Sequence, residues 1–366
     1  MQQLKSSEST PLGIGVFVVS RDAGVARGPT RVPPAGPACY RPFVMPPPVV
    51  VWVLARPGDP GLHLLERPPE GVRFVVGWEP EELDGAPAPD ALLDCWAGPT
   101  RIAAALRRAP GLRWIHARSA GLDRVLVPEV VAHPAVVTNG RGAFSPALAE
   151  FVLAALLFFA KDLRRLVAQQ AAAAWSPFDM ERLEGRTVGI VGYGDIGRAV
   201  AARLRPLGAH VLALRRRPER SSEDPLVRET VPPERLRDLL ARSDDVVVTL
   251  PLTPSTRGLV SRDAVAAMKR TAVLVNVGRG PVVDEPALVE ALEEGRIRGA
   301  ALDVFETEPL PAGHAFWRLP NVLLSPHCAD HAPGWVDESM RVFLRQLLRF
   351  RNGEPLLDVV DKAAGY

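Results

Sequence analysis

The sequence predicts an α/β protein with two parallel-sheet domains, Rossmann-like or flavodoxin-like, and three observations carry that prediction. The chain has 366 residues, which at about 150 per domain allows two domains. From Val49 onward, short apolar runs alternate with helical patterns, as in parallel strands covered on both faces. A glycine turn, Gly192-Tyr193-Gly194-Asp195-Ile196-Gly197, sits between one such strand and the helix after it.

Residues 1–48 stand apart. They hold nine prolines and five glycines and show no strand or helix period, so they read as a disordered extension that buries too little apolar surface to offset its ordering entropy. The segment is either a tail or chain ahead of a true start at Met45. Its basic lean faintly resembles a transit peptide, but the prolines break any continuous amphipathic helix.

Val49–Ala55 is a continuous apolar run and reads as a strand buried on both faces. Val72–Trp78, Leu92–Trp96 and Arg113–Ala117 read as three more, with a helix over Thr100–Arg108. Ser145 to about Trp175, rich in Ala and Leu, predicts one or two long helices with more apolar surface than one outer face needs. A second alternating run follows. Its strands are Thr187–Val191, Val211–Leu214, Asp245–Leu250, Ala272–Val277, Ala300–Val304 and Val322–Ser325. A closing helix spans roughly Trp335–Phe350 and has the length to return to the first domain.

Composition excludes several classes. Forty-four basic against 42 acidic residues leave a formal charge of +2, so no chain-wide basic field points to nucleic acid. The apolar run Phe151–Ala160 is far short of the roughly 20 residues a membrane span needs. Cys39, Cys95 and Cys328 lie too far apart for a CxxC pair, which argues against a disulfide framework and a metal cluster. A cytoplasmic enzyme is the resulting expectation.

The glycine turn fits GxGxxG in the context that gives the pattern meaning, directly after a strand and opening a helix. Glycines permit close backbone approach, and the helix N-terminus offers N–H groups to a pyrophosphate. An NAD site normally carries an acid at the end of the next strand, about 20 residues on. Here Arg215-Arg216-Arg217 follow Leu214, and no acid appears before Glu219. Guanidinium groups bind a 2′-phosphate that a carboxylate would repel, so NADP(H) is the expected cofactor, with NAD(H) possible.

Three later segments end in reactive side chains just past strands. Asn276-Val277-Gly278-Arg279-Gly280 carries an arginine, Asp303 to Pro309 carries Glu306 and Glu308, and Ser325-Pro326-His327 carries a histidine. Ligands of open parallel sheets bind outside the carboxyl ends of strands, so the three converge on one crevice. An arginine, a carboxylate and a histidine together suit reduction of a 2-oxo acid.

These segments, with the fingerprint, the Trp114-to-Gly121 stretch and the Leu250-Pro251-Leu252-Thr253 turn, resemble the D-isomer-specific 2-hydroxyacid dehydrogenase family over residues 110–360. The resemblance implies that Arg279 holds the substrate, Glu308 rather than Glu306 pairs with His327, and His327 is the acid/base. It implies a carboxylate-binding turn at Ser119, Ala120 and Gly121, and a nicotinamide contact at Asp303. Further cofactor contacts are implied at Leu250, Pro251, Thr256 and Val277.

By the same resemblance, the substrate domain is built from residues 49–145 and 331–366, with a dinucleotide-binding domain over 146–330 inserted. It also implies a homodimer through the 146–180 helices and a small 2-oxo or 2-hydroxy acid as substrate. A departure is Cys328-Ala329-Asp330, where the family has glycine or another small residue. The phosphite-oxidising branch shares the Arg, Glu and His, and the fold also serves nucleotide-binding corepressors, so both alternatives stay open. Pocket walls from residues 95–145, with Trp96, Arg118, Leu122 and Arg141 as candidates, would choose the acid. Arg141 is either a second cation for a dianionic substrate or a hinge salt bridge.

Overall fold

The first apolar run becomes β1 (Val49–Leu54), and its period of two divides the surrounding core. Val51 and Val53 face one side, packing with Met340, Phe343 and Leu347 of the closing helix. Val50, Trp52 and Leu54 face the other, against Ile102, Ala105 and Leu106. The computed structural model describes residues 48–366, so all but the last residue of the expected disordered extension lies outside the described residues.

The first sheet contains β1, β2 (Val72–Gly77), β3 (Ala91–Asp94), β4 (Trp114–Ala117) and β5 (Val136–Asn139). All pair in parallel, in the order β2-β1-β3-β4-β5. Helices α1 (Pro99–Arg108) and α2 (Pro128–Ala132) are its own, and α9 (Trp335–Arg351) returns to it from the far end of the chain. The strand order is that of doubly wound flavodoxin-like sheets.

The second sheet has seven strands, β6 (Thr187–Val191), β7 (His210–Leu214), β8 (Glu229–Val231), β9 (Asp245–Val248), β10 (Val273–Asn276), β11 (Gly299–Leu302) and β12 (Val322–Leu324). They too are parallel, in the order β12-β11-β10-β9-β6-β7-β8. The order reverses between β6 and β9, the switch point where such sheets bind ligands. Its helices are α3 (Ser145–Ala160), α4 (Leu163–Ala171), α5 (Asp195–Leu204), α6 (Leu236–Arg242), α7 (Arg262–Ala266) and α8 (Glu285–Glu293). Leu148, Val152, Leu156 and Phe159 of α3 pack with Val200 and Leu204 of α5 and with Val188 and Ile190 of β6.

The structure adds two strands that the sequence pattern does not announce. β5 and β8 have four and three residues, too few for a period, and pairing with β4 and β7 defines them. The long helical stretch is broken by Asp162, whose φ of +46° turns the chain before its side chain caps α4. Helical structure then ends at Ala171 rather than Trp175, and no residue of α4 is buried. Among the described residues no helix is long and apolar enough to cross a membrane.

Candidate active site

The glycine turn forms as its spacing predicts. Gly192 has a φ of +109°, and a Cβ there would lie 2.9 Å from the Leu250 side chain. A Cβ on Gly197 would come within 2.6 Å of the Gly192 carbonyl, whereas Gly194 faces open space. The N–H groups of Asp195, Ile196 and Gly197 open α5, and no acceptor among the described residues takes them. This open cradle at a helix N-terminus fits the pyrophosphate of a dinucleotide.

Tyr193 serves the turn itself. Its N–H donates to the Leu214 carbonyl at 2.9 Å and its hydroxyl to Asp224 at 3.1 Å, and the ring is buried. Asp195 is tied by the Ser145 hydroxyl to the start of α3. Thr256 is a brace: its hydroxyl donates to the Pro251 carbonyl at 2.7 Å and accepts from the Thr253 N–H at 2.8 Å. Leu250 abuts Gly192, and Val277 is buried, its N–H bonded to the Val248 carbonyl at 3.1 Å.

After β7, Arg215 is half-buried and donates to the Ser221 hydroxyl, while Arg216 is exposed with its guanidinium 4.6 Å from the Tyr366 ring centre. Burial lowers the Arg215 pKa, and the charges of Arg220 and Arg141 lower it further.

His327 and Glu308 meet as the resemblance implies. His327 Nδ1 lies 2.7 Å from Glu308 Oε2, and Glu308 Oε1 accepts the Phe305 N–H at 3.0 Å. Glu306 is exposed, and its N–H donates to Glu285 instead. His327 has a φ of +51°, a conformation that costs free energy for a side chain with a Cβ. Asp303 over-determines that turn. Its carbonyl accepts the His327 N–H at 2.9 Å, and its buried Oδ1 takes the Ser325 hydroxyl and the Cys328 and Ala329 N–H groups at 2.6, 2.9 and 3.0 Å.

The hydrogen bond to Glu308 is the main force raising the His327 pKa; burial and the Arg279 charge oppose it, and the Glu308 charge adds to it. Glu308 is pushed up by burial, yet its bonds from His327 and Phe305 and the nearby cations leave it below its usual range. Asp330 is raised by burial, with the Asp303 charge adding and those of His331 and His327 opposing. Cys328 is exposed.

Arg279 reaches across to the first sheet. Its Nε donates to Asp123 at 3.0 Å, Nη1 to the Gly278 carbonyl at 2.8 Å, and Nη2 occupies the place a Cβ on Gly121 would take. The turn beneath it is held by Ser119 Oγ on the Gly121 carbonyl, Asn139 Nδ2 on the Ala120 carbonyl and the Gly140 N–H on the Ser119 carbonyl. No acceptor among the described residues takes the Ala120 and Gly121 N–H groups. Cation, open N–H groups and a histidine–carboxylate pair therefore converge between the two sheets, an arrangement able to grip a carboxylate and move one proton.

Residues 153–329 match the family model described as D-isomer specific 2-hydroxyacid dehydrogenase, NAD binding domain. A glyoxylate reductase of Thermofilum pendens is 35% identical over 319 residues, 83% of this chain and 92% of the relative. The chain belongs to the D-isomer specific 2-hydroxyacid dehydrogenase family. Two solved structures of this oxidoreductase family resemble it closely. A dehydrogenase of Xanthobacter autotrophicus, in complex with NADPH and MES, is 31% identical with a TM-score of 0.73, over 88% of this chain and 100% of its own. The NADPH-dependent glyoxylate/hydroxypyruvate reductase of Sinorhizobium meliloti, with NADP and sulfate, is 29% identical with a TM-score of 0.74 over the same shares.

The expected pocket walls need correction in this dehydrogenase. Arg118 does not line an open pocket: it is fully buried, paired through both terminal nitrogens with Asp59 at 2.7 and 2.6 Å and covered by the Trp96 ring at 4.2 Å. A buried guanidinium needs such a forked partner to offset its lost hydration. Leu122 is buried in the first core. Trp96 is partly exposed and packs 5.3 Å from Trp335, on which His331 stacks at 4.4 Å. Arg141 forms a salt bridge with Asp358 at 3.4 Å. Sequence reasoning missed Asp123 and Asn139, since neither belongs to a motif and each acts through a contact made only on folding.

Proposed function

We propose that this dehydrogenase reduces small 2-oxo acids of the glyoxylate and hydroxypyruvate class to D-2-hydroxy acids, with NADP(H) preferred over NAD(H). The observation that carries the reading is the 2.7 Å His327–Glu308 pair set beside Arg279 and the Ser119–Gly121 turn. The names of the Thermofilum and Sinorhizobium relatives and the NADP-bound neighbours support it.

The substrate carboxylate accepts the Ala120 and Gly121 N–H groups, and Arg279 polarises the carbonyl. His327, with Nδ1 turned to Glu308, delivers its proton from Nε2 to the carbonyl oxygen, and Glu308 stabilises the imidazolium until that moment. The bound dinucleotide supplies the hydride. Gly192, Gly194 and Gly197 with the α5 N-terminus would hold its pyrophosphate, Asp303 would contact its nicotinamide, and Arg215 and Arg216 would take the 2′-phosphate.

Loss of nicotinamide absorbance tests this directly, with glyoxylate, hydroxypyruvate and pyruvate each paired with NADPH and NADH. Turnover with NADPH well above NADH is expected, and replacing Arg215 and Arg216 by Ser should raise the KM for NADPH far more than that for NADH. No turnover with any pair would overturn the reading.

A homodimer through the 146–180 helices is part of the same proposal. The α4 arm buries none of its residues and leaves Leu163, Leu166 and Val167 exposed, with Trp175 just beyond it 96% exposed. Light scattering on the purified protein should give twice the chain mass, and a monomer at micromolar concentration would reject it. A cytoplasmic location is proposed on composition, and cell fractionation tests it.

A further inference from the structure

The segment after α9 does more than close the first sheet. Gln346 grips it at Leu357, donating to that carbonyl at 2.6 Å and accepting its N–H at 3.1 Å. Asp358 pairs with Arg141, and the Val360 N–H donates to the Val137 carbonyl of β5 at 2.9 Å. Lys362 Nζ then donates to the carbonyls of Val130, His133 and Ala135, capping the end of α2 and the chain beyond it. Up to this point every anchor lies on the first sheet, on α2 or α9, or on the chain next to them.

The next residues cross to the second. A tight turn closes on Asp361: its carbonyl accepts the Gly365 N–H at 2.9 Å, its carboxylate the Ala364 N–H at 3.0 Å, and its own N–H donates to the Tyr366 carbonyl at 3.0 Å. Gly365 then sits where a Cβ would be 3.0 Å from Thr253 Cγ2, and the Tyr366 ring lies over Arg216. Thr253 follows β9 and Arg216 follows β7, the two strands that flank β6 and its dinucleotide turn. The segment thus spans the groove at its arginine-bearing end.

We propose that Asp358–Tyr366 is a strap over the adenosine end of the cofactor groove, and that Tyr366 positions Arg216 for the 2′-phosphate of NADP(H). The inference rests on the reading that Arg216 binds that phosphate. A free arginine on a loop loses rotamer entropy each time it engages a ligand. An aromatic face that holds the guanidinium by its flat side removes part of that cost and leaves the N–H edge directed at an anion. NADH has no 2′-phosphate, so the benefit falls on NADPH alone.

Equilibrium titration of tryptophan fluorescence with NADPH and with NADH, on the full chain, reads this without turnover. Tyr366→Ala is expected to weaken NADPH about threefold to tenfold and leave NADH unchanged, and Tyr366→Phe, which keeps the ring, to restore it. In an Arg216→Ser background, Tyr366→Ala should have no further effect on NADPH. Equal weakening of both cofactors, tighter binding of either, or no change would overturn the strap's role. If Arg216→Ser weakens NADPH while Tyr366→Ala is silent, the strap alone fails. If Arg216→Ser leaves NADPH binding intact, the arginine reading fails and the strap with it. Tyr366 is 45% exposed, so its replacement leaves the core untouched.

Discussion

His327→Ala is expected to lower kcat for 2-oxo acid reduction by roughly 10²–10⁴-fold, the range for losing a general acid, while NADPH binding stays within about twofold. His327 lies after β12 and the glycine cradle after β6, so one can be removed without the other. Glu308→Gln separates proton supply from geometry. In the native pair the carboxylate raises His327, so the protonated form persists above the ordinary imidazole value of about 6.5. Reduction should therefore hold at low and neutral pH and fall as pH rises through the raised pKa. The glutamine variant keeps an acceptor but loses the charge, leaving burial and Arg279 to push the pKa down. Its alkaline limb should move to lower pH in a kcat/KM profile, and an unmoved limb would show that Glu308 does not govern that proton.

Arg279→Ala is the second large effect. The guanidinium lies over Gly121 and is held by Asp123, and in the proposed mechanism it meets the charge that develops on the carbonyl oxygen. Removing such a donor costs about 10²–10³ in kcat, and kcat/KM should fall further because the substrate carboxylate loses its counter-charge. Arg279→Lys should recover part of this loss, since it restores charge without the fork. Asp123→Asn should fall between the wild type and Arg279→Ala, because the arginine remains but is less firmly aimed. Wild-type rates in the alanine variant would remove Arg279 from the proposed mechanism.

The cradle and the three reactive segments were legible because each is a local solution to a local constraint. The turn needs glycine at Gly192 and Gly197, where a Cβ would meet the Leu250 side chain or the Gly192 carbonyl. A strand buried on both faces, such as β1, reads as a continuous apolar run because neither face meets water. The Arg279, Glu308 and His327 segments follow strands, so the ends of β10, β11 and β12 deliver them together once the sheet is parallel.

Other features had no local signal. β5 and β8 exist through pairing, and Asp162 breaks the helical stretch by one left-handed residue. Arg118 reads as a pocket cation until Asp59, brought beside it from another loop, buries it. Tyr366 meets Arg216, and Arg279 meets Asp123 across 156 residues, only after both sheets and the return of α9 are in place. The sequence by itself therefore determined the family, the cradle and the strand ends that carry Arg279, Glu308 and His327, because backbone geometry and strand polarity act over a few residues. The tertiary structure alone decided what each charged group faces, because a side chain's partner, and with it its pKa and its freedom to meet a ligand, depends on chain brought in from far away.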